Sequence, residues 1–251
     1  MHFTTGAVTV VGTSHVSEES VKEIQRLMEE EYAAVGVELD PNRLIQLGSK
    51  ERPSFHQLIG RFGFRIAAFA AFAAWVQGKV GRIVGLDPGS DMLEAVRIAE
   101  RKHIPVICVD QDITITLRRL RRHLDIRFAA KIMKDAVTGL IRPGKIQKQL
   151  GIRRFDLKRV PSDRIVQQIL GLMEQEYPGM YHVLVEERNH AIVRNIREMR
   201  KHFDGPILIV VGAGHVKGIR ELLKSEVPHI DISLDGLAHS DPNYSDPAID
   251  I

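Results

Sequence analysis

Cysteine is almost absent from this chain of 251 residues, which has only Cys108. One thiol cannot close an intrachain disulfide, so no disulfide framework holds the fold, and a reducing, cytoplasmic setting is expected. Cys108 lies in the apolar run Ile104-Pro105-Val106-Ile107-Cys108-Val109 and reads as a small buried hydrophobe rather than a reactive thiol. Long hydrophobic runs are missing too. The longest, Ile66 to Val76, falls short of the roughly 20 residues that a membrane-spanning helix needs. The start, Met1-His2-Phe3-Thr4-Thr5, has neither the charged nor the apolar region of a signal peptide. Any membrane association is expected to need a partner or a segment absent from this sequence.

Charge of one sign is locally scarce. Between Leu117 and Val160 there are fourteen Lys and Arg against three Asp and Glu. Such a block meets phosphate, anionic lipid, an acidic partner or simply water. It carries Phe128 and Phe155 but no repeat of basic and aromatic residues, so it lacks the stacking platform of single-strand binders. It is expected to form helices of a cap or a dimer interface, and no nucleic acid is expected as a partner.

The chain does have the means to build a core. Hydrophobic residues make up 44% of it and charged residues 27%, which suits a soluble globule and argues against disorder. Strand-like runs alternate with helical patterns. Ala7-Val8-Thr9-Val10-Val11, Ala34 to Leu39, Gly81 to Leu86, Pro105 to Asp110, Pro206 to Val211 and Ile230 to Leu234 read as strands. Ser17 caps a helix with Val21, Ile24 and Leu27 on one face. A long helix is expected from Ser54 to about Gln77. The Asp87-Pro88-Gly89-Ser90 turn leads into another, and further helices are expected from Asp112, from Ser162 to Tyr177 and from Gly179 to His202. This alternation predicts an α/β fold: a mostly parallel central sheet flanked by helices, with a helical cap insertion at about residues 112–178. A single domain is expected over residues 1–237, with 238–251 a loosely ordered tail.

Ligands of open parallel sheets bind at the carboxyl ends of the strands. Four strands deliver a polar group there: His15 after Gly12-Thr13-Ser14, Glu38, Asp110 with Asp112 beyond it, and His215 after Gly212-Ala213-Gly214. The two Gly-x-x-His turns match. Glycine after a strand lets the chain turn sharply and lets backbone N–H groups approach a ligand. A histidine there is either a surface or capping residue, or part of a site. Glu38 closes an apolar run and is costly to bury alone. An ion pair with Arg43 is one reading; a metal ligand or general base is the other. Glu187 and His190 share a helix face, either as an ordinary charged surface or, given the apolar run before Glu186, as a buried pair.

Five segments together resemble the TraB/PrgY family, relatives of the Tiki metalloproteases: Val11-Gly12-Thr13-Ser14-His15-Val16-Ser17; Val37-Glu38-Leu39-Asp40-Pro41-Asn42-Arg43; Asp110-Gln111-Asp112-Ile113 with Thr116 and Arg118; Glu187-Arg188-Asn189; and Gly212-Ala213-Gly214-His215-Val216. The similarity runs from about Val8 to Leu234. It implies a metal-dependent peptidase fold, also likened to erythromycin-esterase-like proteins, and a site of His15, Glu38, Glu187 and His215, with Arg43 and Arg188 as charge partners. It also implies a homodimer, and the PrgY branch is associated with limiting peptide pheromone activity.

The reading is therefore a metallohydrolase acting on peptides. His15, His215, Glu38 and Glu187 would hold a divalent ion such as manganese, cobalt or zinc, and Glu38 or Glu187 would take a proton from water. Arg188 and Arg43 complete the catalytic set, with Asp110, Asp112 and Arg118 toward substrate. There is no His-Glu-x-x-His, so this is not a zincin. The alternatives are a metal-independent hydrolase using histidine and glutamate, and a protein that sequesters a peptide without cutting it. The long Ala-rich helix, with Phe64, Phe69, Phe72 and Trp75, is expected to pack one face on the sheet and another on a second subunit.

Overall fold

The structure is a computed structural model that describes residues 2–13, 18–49, 54–71, 74, 90–123 and 163–225. Its centre is a sheet built from runs of β-branched residues. Strands β1 (His2–Thr5), β2 (Val8–Thr13), β3 (Ala34–Val37), β4 (Val106–Cys108) and β5 (Ile207–Gly212) lie in the order β1-β2-β5-β3-β4. β2, β5, β3 and β4 are parallel, and β1 is antiparallel to β2. Every residue of β2, β3 and β5 is buried. That is why these strands read as continuous apolar runs and not as alternations.

The two faces of the sheet are covered by different helices. On one face Val11, Val35, Val37, Leu208 and Val210 pack with Ile24, Leu27 and Met28 around α1 (Glu18–Leu27) and with Met92, Ala95 and Ala99 of a later helix, Ser90–Arg101. On the other, Val8, Val10, Ile207, Ile209 and Val211 pack with Ile192, Ile196 and Met199 and with Val216 and Ile219. The two sets alternate along β5, as the twofold period of a strand requires.

The helices between them are α2 (Pro41–Ser49) and α3 (Phe55–Phe62), then α4 (Ser90–Arg101) and α5 (Ile113–His123). They are followed by α6 (Asp163–Glu176), α7 (Pro178–Tyr181), α8 (Glu187–His202) and α9 (Val216–Lys224). A third cluster, Phe62, Ile66, Leu120 and Val183, joins α3, α5 and the segment before α8 away from the sheet. Among the described residues no helix is long and apolar enough to cross a membrane.

Three details differ from the sequence reading. The expected long helix starts where Ser54 caps it, with Ser54 and Gln57 forming a reciprocal capping box, but it stops at Gly63, whose φ is +81°. Helix resumes over residues 64–71. A left-handed φ suits glycine and ends the first helix cleanly, so the expected rod is broken at Gly63. Second, β1 was not expected. Its hairpin turns on Gly6, at φ +55°, the positive value that a two-residue connection favours. Third, the helix read from Gly179 is one path from Pro178 to His202 with a π turn at His182–Glu186 inside it. Cys108 is half-buried at the edge of the first core cluster, and burial pushes its thiol above the usual range, helped by Asp40. The strands expected at Gly81–Leu86 and Ile230–Leu234, residues 124–160 of the basic block, Phe72, Trp75 and the tail lie outside the described residues, as does His15.

Candidate functional site

Three parallel strands release a polar residue at the carboxyl edge of the sheet. Glu38 follows β3 directly, Asp110 lies two residues past β4, and His215 lies in the turn after β5. All three are buried, at 5%, 9% and 6% exposure. Three such groups converge there because the neighbouring strands are parallel and in register, Val37 opposite both Cys108 and Val210.

Arg188, on the first turn of α8, reaches into this group. Its Nη2 donates to Glu38 Oε1. It also forks onto Asp110, with Nε to Oδ1 at 3.0 Å and Nη2 to Oδ2 at 2.6 Å. Burial alone weakens the charge on the guanidinium, but Glu38 and Asp110 outweigh that and hold its pKa above the usual arginine value. Two buried carboxylates so close would repel each other; one planar cation between them satisfies both.

Glu38 is held from a second side. The backbone N–H of Gly212, the first glycine of the second Gly-x-x-His turn, donates to Glu38 Oε2 at 2.5 Å. The sequence reading assigned that amide to a ligand, and a carboxylate of the chain takes it. His215 completes the group. Its Nε2 stands 3.4 Å from Glu38 Oε1, and its Nδ1 lies 2.7 Å from Asn189 Oδ1.

The other residues singled out from sequence lie around this centre. Glu187 is turned away from Glu38. Its Oε1 meets Arg119 Nη1 at 2.8 Å and His182 Nε2 at 3.5 Å, a setting made by α5 and the π turn. His190 is exposed, not buried beside Glu187. Arg43 is exposed on α2, and the arginine that pairs with Glu38 is Arg188. Of the two arginines that the resemblance gave as charge partners, Arg188 is the one seen on Glu38. The backbone N–H of Arg43 is instead held by Asp40 Oδ1, at 3.1 Å, at the start of α2. Asp112 caps α5 through the N–H of Thr114, at 2.6 Å, and hydrogen bonding from the Thr114 side chain, then from this N–H, with Arg61 and Arg118 nearby, holds its carboxyl below the usual value. Arg118 lines an open hollow with Arg121 and Arg122.

Sequence reasoning gave no role to Asn189, to Gly218 or to the Arg119–Glu187–His182 cluster. Asn189 stood inside a quoted motif, and its burial is the feature that marks it. Gln111 and Thr116, which hydrogen-bond each other at 2.8 Å, brace the turn between Asp110 and α5.

The profile of the TraB/PrgY/gumN family matches residues 3–226. The chain belongs to this family. It is 28% identical to an uncharacterized protein of Methanocaldococcus jannaschii over 90% of the present chain and 56% of that protein. It is 24% identical to a TraB domain-containing protein of Bos taurus and 21% identical to its human counterpart, each over 85% of this chain and 62% of the relative. The chain thus spans about three-fifths of the length of these relatives. In this TraB-family chain the five segments that suggested the family are dispersed in sequence. Residues from four of them, Glu38, Asp110, Arg188 with Asn189, and Gly212 with His215, meet at one end of the sheet.

Proposed function

We propose that this TraB-family chain is a hydrolase of peptides, working at the buried pair formed by His215 Nε2 and Glu38 Oε1. The observation that carries the reading is the 3.4 Å approach of these two atoms at the strand ends, where parallel sheets bind ligands. The peptide class follows the family resemblance.

His215 and Glu38 fit a divalent ion in donor type. Zinc takes imidazole nitrogen and carboxylate oxygen at about 2.0–2.2 Å, which sets two tetrahedral ligands about 3.4 Å apart. Among the described residues no group of three such side chains is gathered, and His15 and Glu187 are the further ligands that the sequence suggests. When bound, manganese, cobalt or zinc would polarise the scissile carbonyl and acidify a water. The chain's own contributions are separate from this. Arg188 and the Gly212 amide fix the Glu38 carboxylate in one orientation. Asn189 fixes the imidazole. The burial of the group excludes bulk water and strengthens each of these contacts.

A metal-independent hydrolase is the second reading, favoured by the hydrogen bonds that already engage both oxygens of Glu38. There His215 Nε2 takes the proton of water and Glu38 steadies the imidazolium. The full chain, treated with chelator and then reloaded with manganese, cobalt or zinc, is incubated with a broad peptide pool and followed by mass spectrometry. Cleavage only after reloading supports the first reading, and cleavage in chelator supports the second. Binding without cleavage under every condition overturns both in favour of a peptide-sequestering protein.

A further inference from the structure

Asn189 follows Arg188 on α8 and is buried, with its Oδ1 2.7 Å from His215 Nδ1. The other end of the same amide rests on Gly218, in the first turn of α9. A Cβ at residue 218 would fall on Asn189 Nδ2 and Cγ. Asn189, His215 and Gly218 therefore form a closed stack between α8 and α9, two helices that share the second core cluster through Ile192, Ile196, Val216 and Ile219.

We infer that Asn189 is a positioning residue that holds His215 in the tautomer with its proton on Nδ1, and that Gly218 is glycine because any side chain there would displace the Asn189 amide. The inference builds on the reading of His215 and Glu38 as the working pair, and it says which ring nitrogen does the work.

An amide oxygen only accepts, so a contact at 2.7 Å requires a proton on Nδ1. In the singly protonated ring Nε2 then carries a lone pair that faces Glu38. The opposite arrangement would turn the amide over, with Nδ2 donating to Nδ1 and an Nε2 proton donating to Glu38. The geometry disfavours it on the Glu38 side. Hydrogen bonds from N–H to a carboxylate are strongest at about 2.7–2.9 Å, whereas Nε2 stands 3.4 Å away. Glu38 Oε1 already accepts from Arg188. A lone pair and a carboxylate oxygen at that separation can share a proton or bind one cation together. The tautomer thus determines that Nε2, and not Nδ1, faces the reacting group. Histidines that hold metals or move protons have the same need for a partner on the second nitrogen.

The test uses the full chain labelled with nitrogen-15, free of metal, at about pH 8, above the ordinary imidazole range. Two-bond proton–nitrogen correlation spectra identify the tautomer, and His215→Gln assigns the signal. The Nδ1–H form is expected in the parent chain. Asn189→Leu, apolar and of similar size, should shift the tautomer ratio about tenfold, the equilibrium equivalent of one hydrogen bond. Asn189→Asp should keep the Nδ1–H form because a carboxylate also accepts. Gly218→Ala should shift the ratio in the same direction as Asn189→Leu, although alanine is the better helix former. An Nε2–H form or a doubly protonated ring in the parent chain overturns the inference, as does an unchanged ratio in folded Asn189→Leu. If that variant does not fold, the parent spectrum and Gly218→Ala decide. No substrate is involved, so a chain that cleaves nothing but shows the Nδ1–H form sinks the hydrolase reading alone.

Discussion

Arg188 and Glu38 are 150 residues apart in the chain, and the guanidinium of one is hydrogen-bonded to the buried carboxylate of the other. The same guanidinium forks onto Asp110. The pair ties the first turn of α8 to the ends of β3 and β4, so the charge network that shapes the site also joins three elements of the fold.

Removing that cation should be costly. Arg188→Met leaves Glu38 and Asp110 buried without their shared partner, and breaking such a pair costs about 3–5 kcal/mol. Arg188→Lys should recover only part of this, because an ammonium cannot make the planar fork. Urea unfolding of the three proteins measures it. A loss below about 1 kcal/mol for Arg188→Met would mean that the network contributes little to stability.

The activity prediction separates two roles. His215→Ala should abolish hydrolysis in either reading, by about 10²–10⁴-fold or more. Glu38→Gln keeps the shape but removes the charge that faces Nε2. If Glu38 holds an ion, calorimetric titration with zinc should show weakened affinity. If it acts on the imidazole alone, affinity is unchanged and turnover falls. Both variants need a circular dichroism check, and a fully active His215→Ala protein would place the chemistry elsewhere.

Gly36 sits in the middle of β3, where an added Cβ would come within 2.7 Å of Ile209 Cδ1 and 2.9 Å of Val109 Cγ1. Gly36→Ala is therefore expected to destabilise by about 1–3 kcal/mol through overpacking, despite alanine's lower backbone entropy cost. Thermal unfolding measures it. A rise in melting temperature would show that the second core cluster relaxes more readily than its packing suggests.

Tyr32 predicts an alkaline dependence. Burial, with Glu30 next, pushes its phenol up to about 12. The folded state thus holds this proton more tightly than the unfolded chain, where the value is about 10. The contribution is complete below about pH 10 and is lost as pH rises toward 12. Tyr32→Phe should flatten that part of the stability profile in urea unfolding across the window. Identical slopes for parent and variant would remove Tyr32 as the cause.

Much of this was legible in the linear chain because it depends on near neighbours. The apolar runs of β2, β3 and β5 announce strands buried on both faces. Ser54 announces a helix start. A carboxylate or imidazole just past a strand announces the edge of a parallel sheet, and Glu38, Asp110 and His215 are where that logic put them. Gly63 was harder: glycine is tolerated in helices, and only the backbone shows that this one takes a left-handed φ.

The sequence by itself determined the α/β class, the main strands and the polar residues at their ends, since each follows from periodicity and residue type over a few positions. The tertiary structure decided who meets whom. β5, last of the described strands, lies between β2 and β3, and this brings Gly212 and His215 onto Glu38. The pitch of α8 sends Arg188 toward that carboxylate while Glu187, one residue before, turns about 100° away to Arg119 and His182. Arg43 and Arg188 are equally cationic in sequence; only the packing of α8 against the sheet selects Arg188, because the strength of a buried ion pair depends on separation and solvent exclusion, neither of which a linear chain contains.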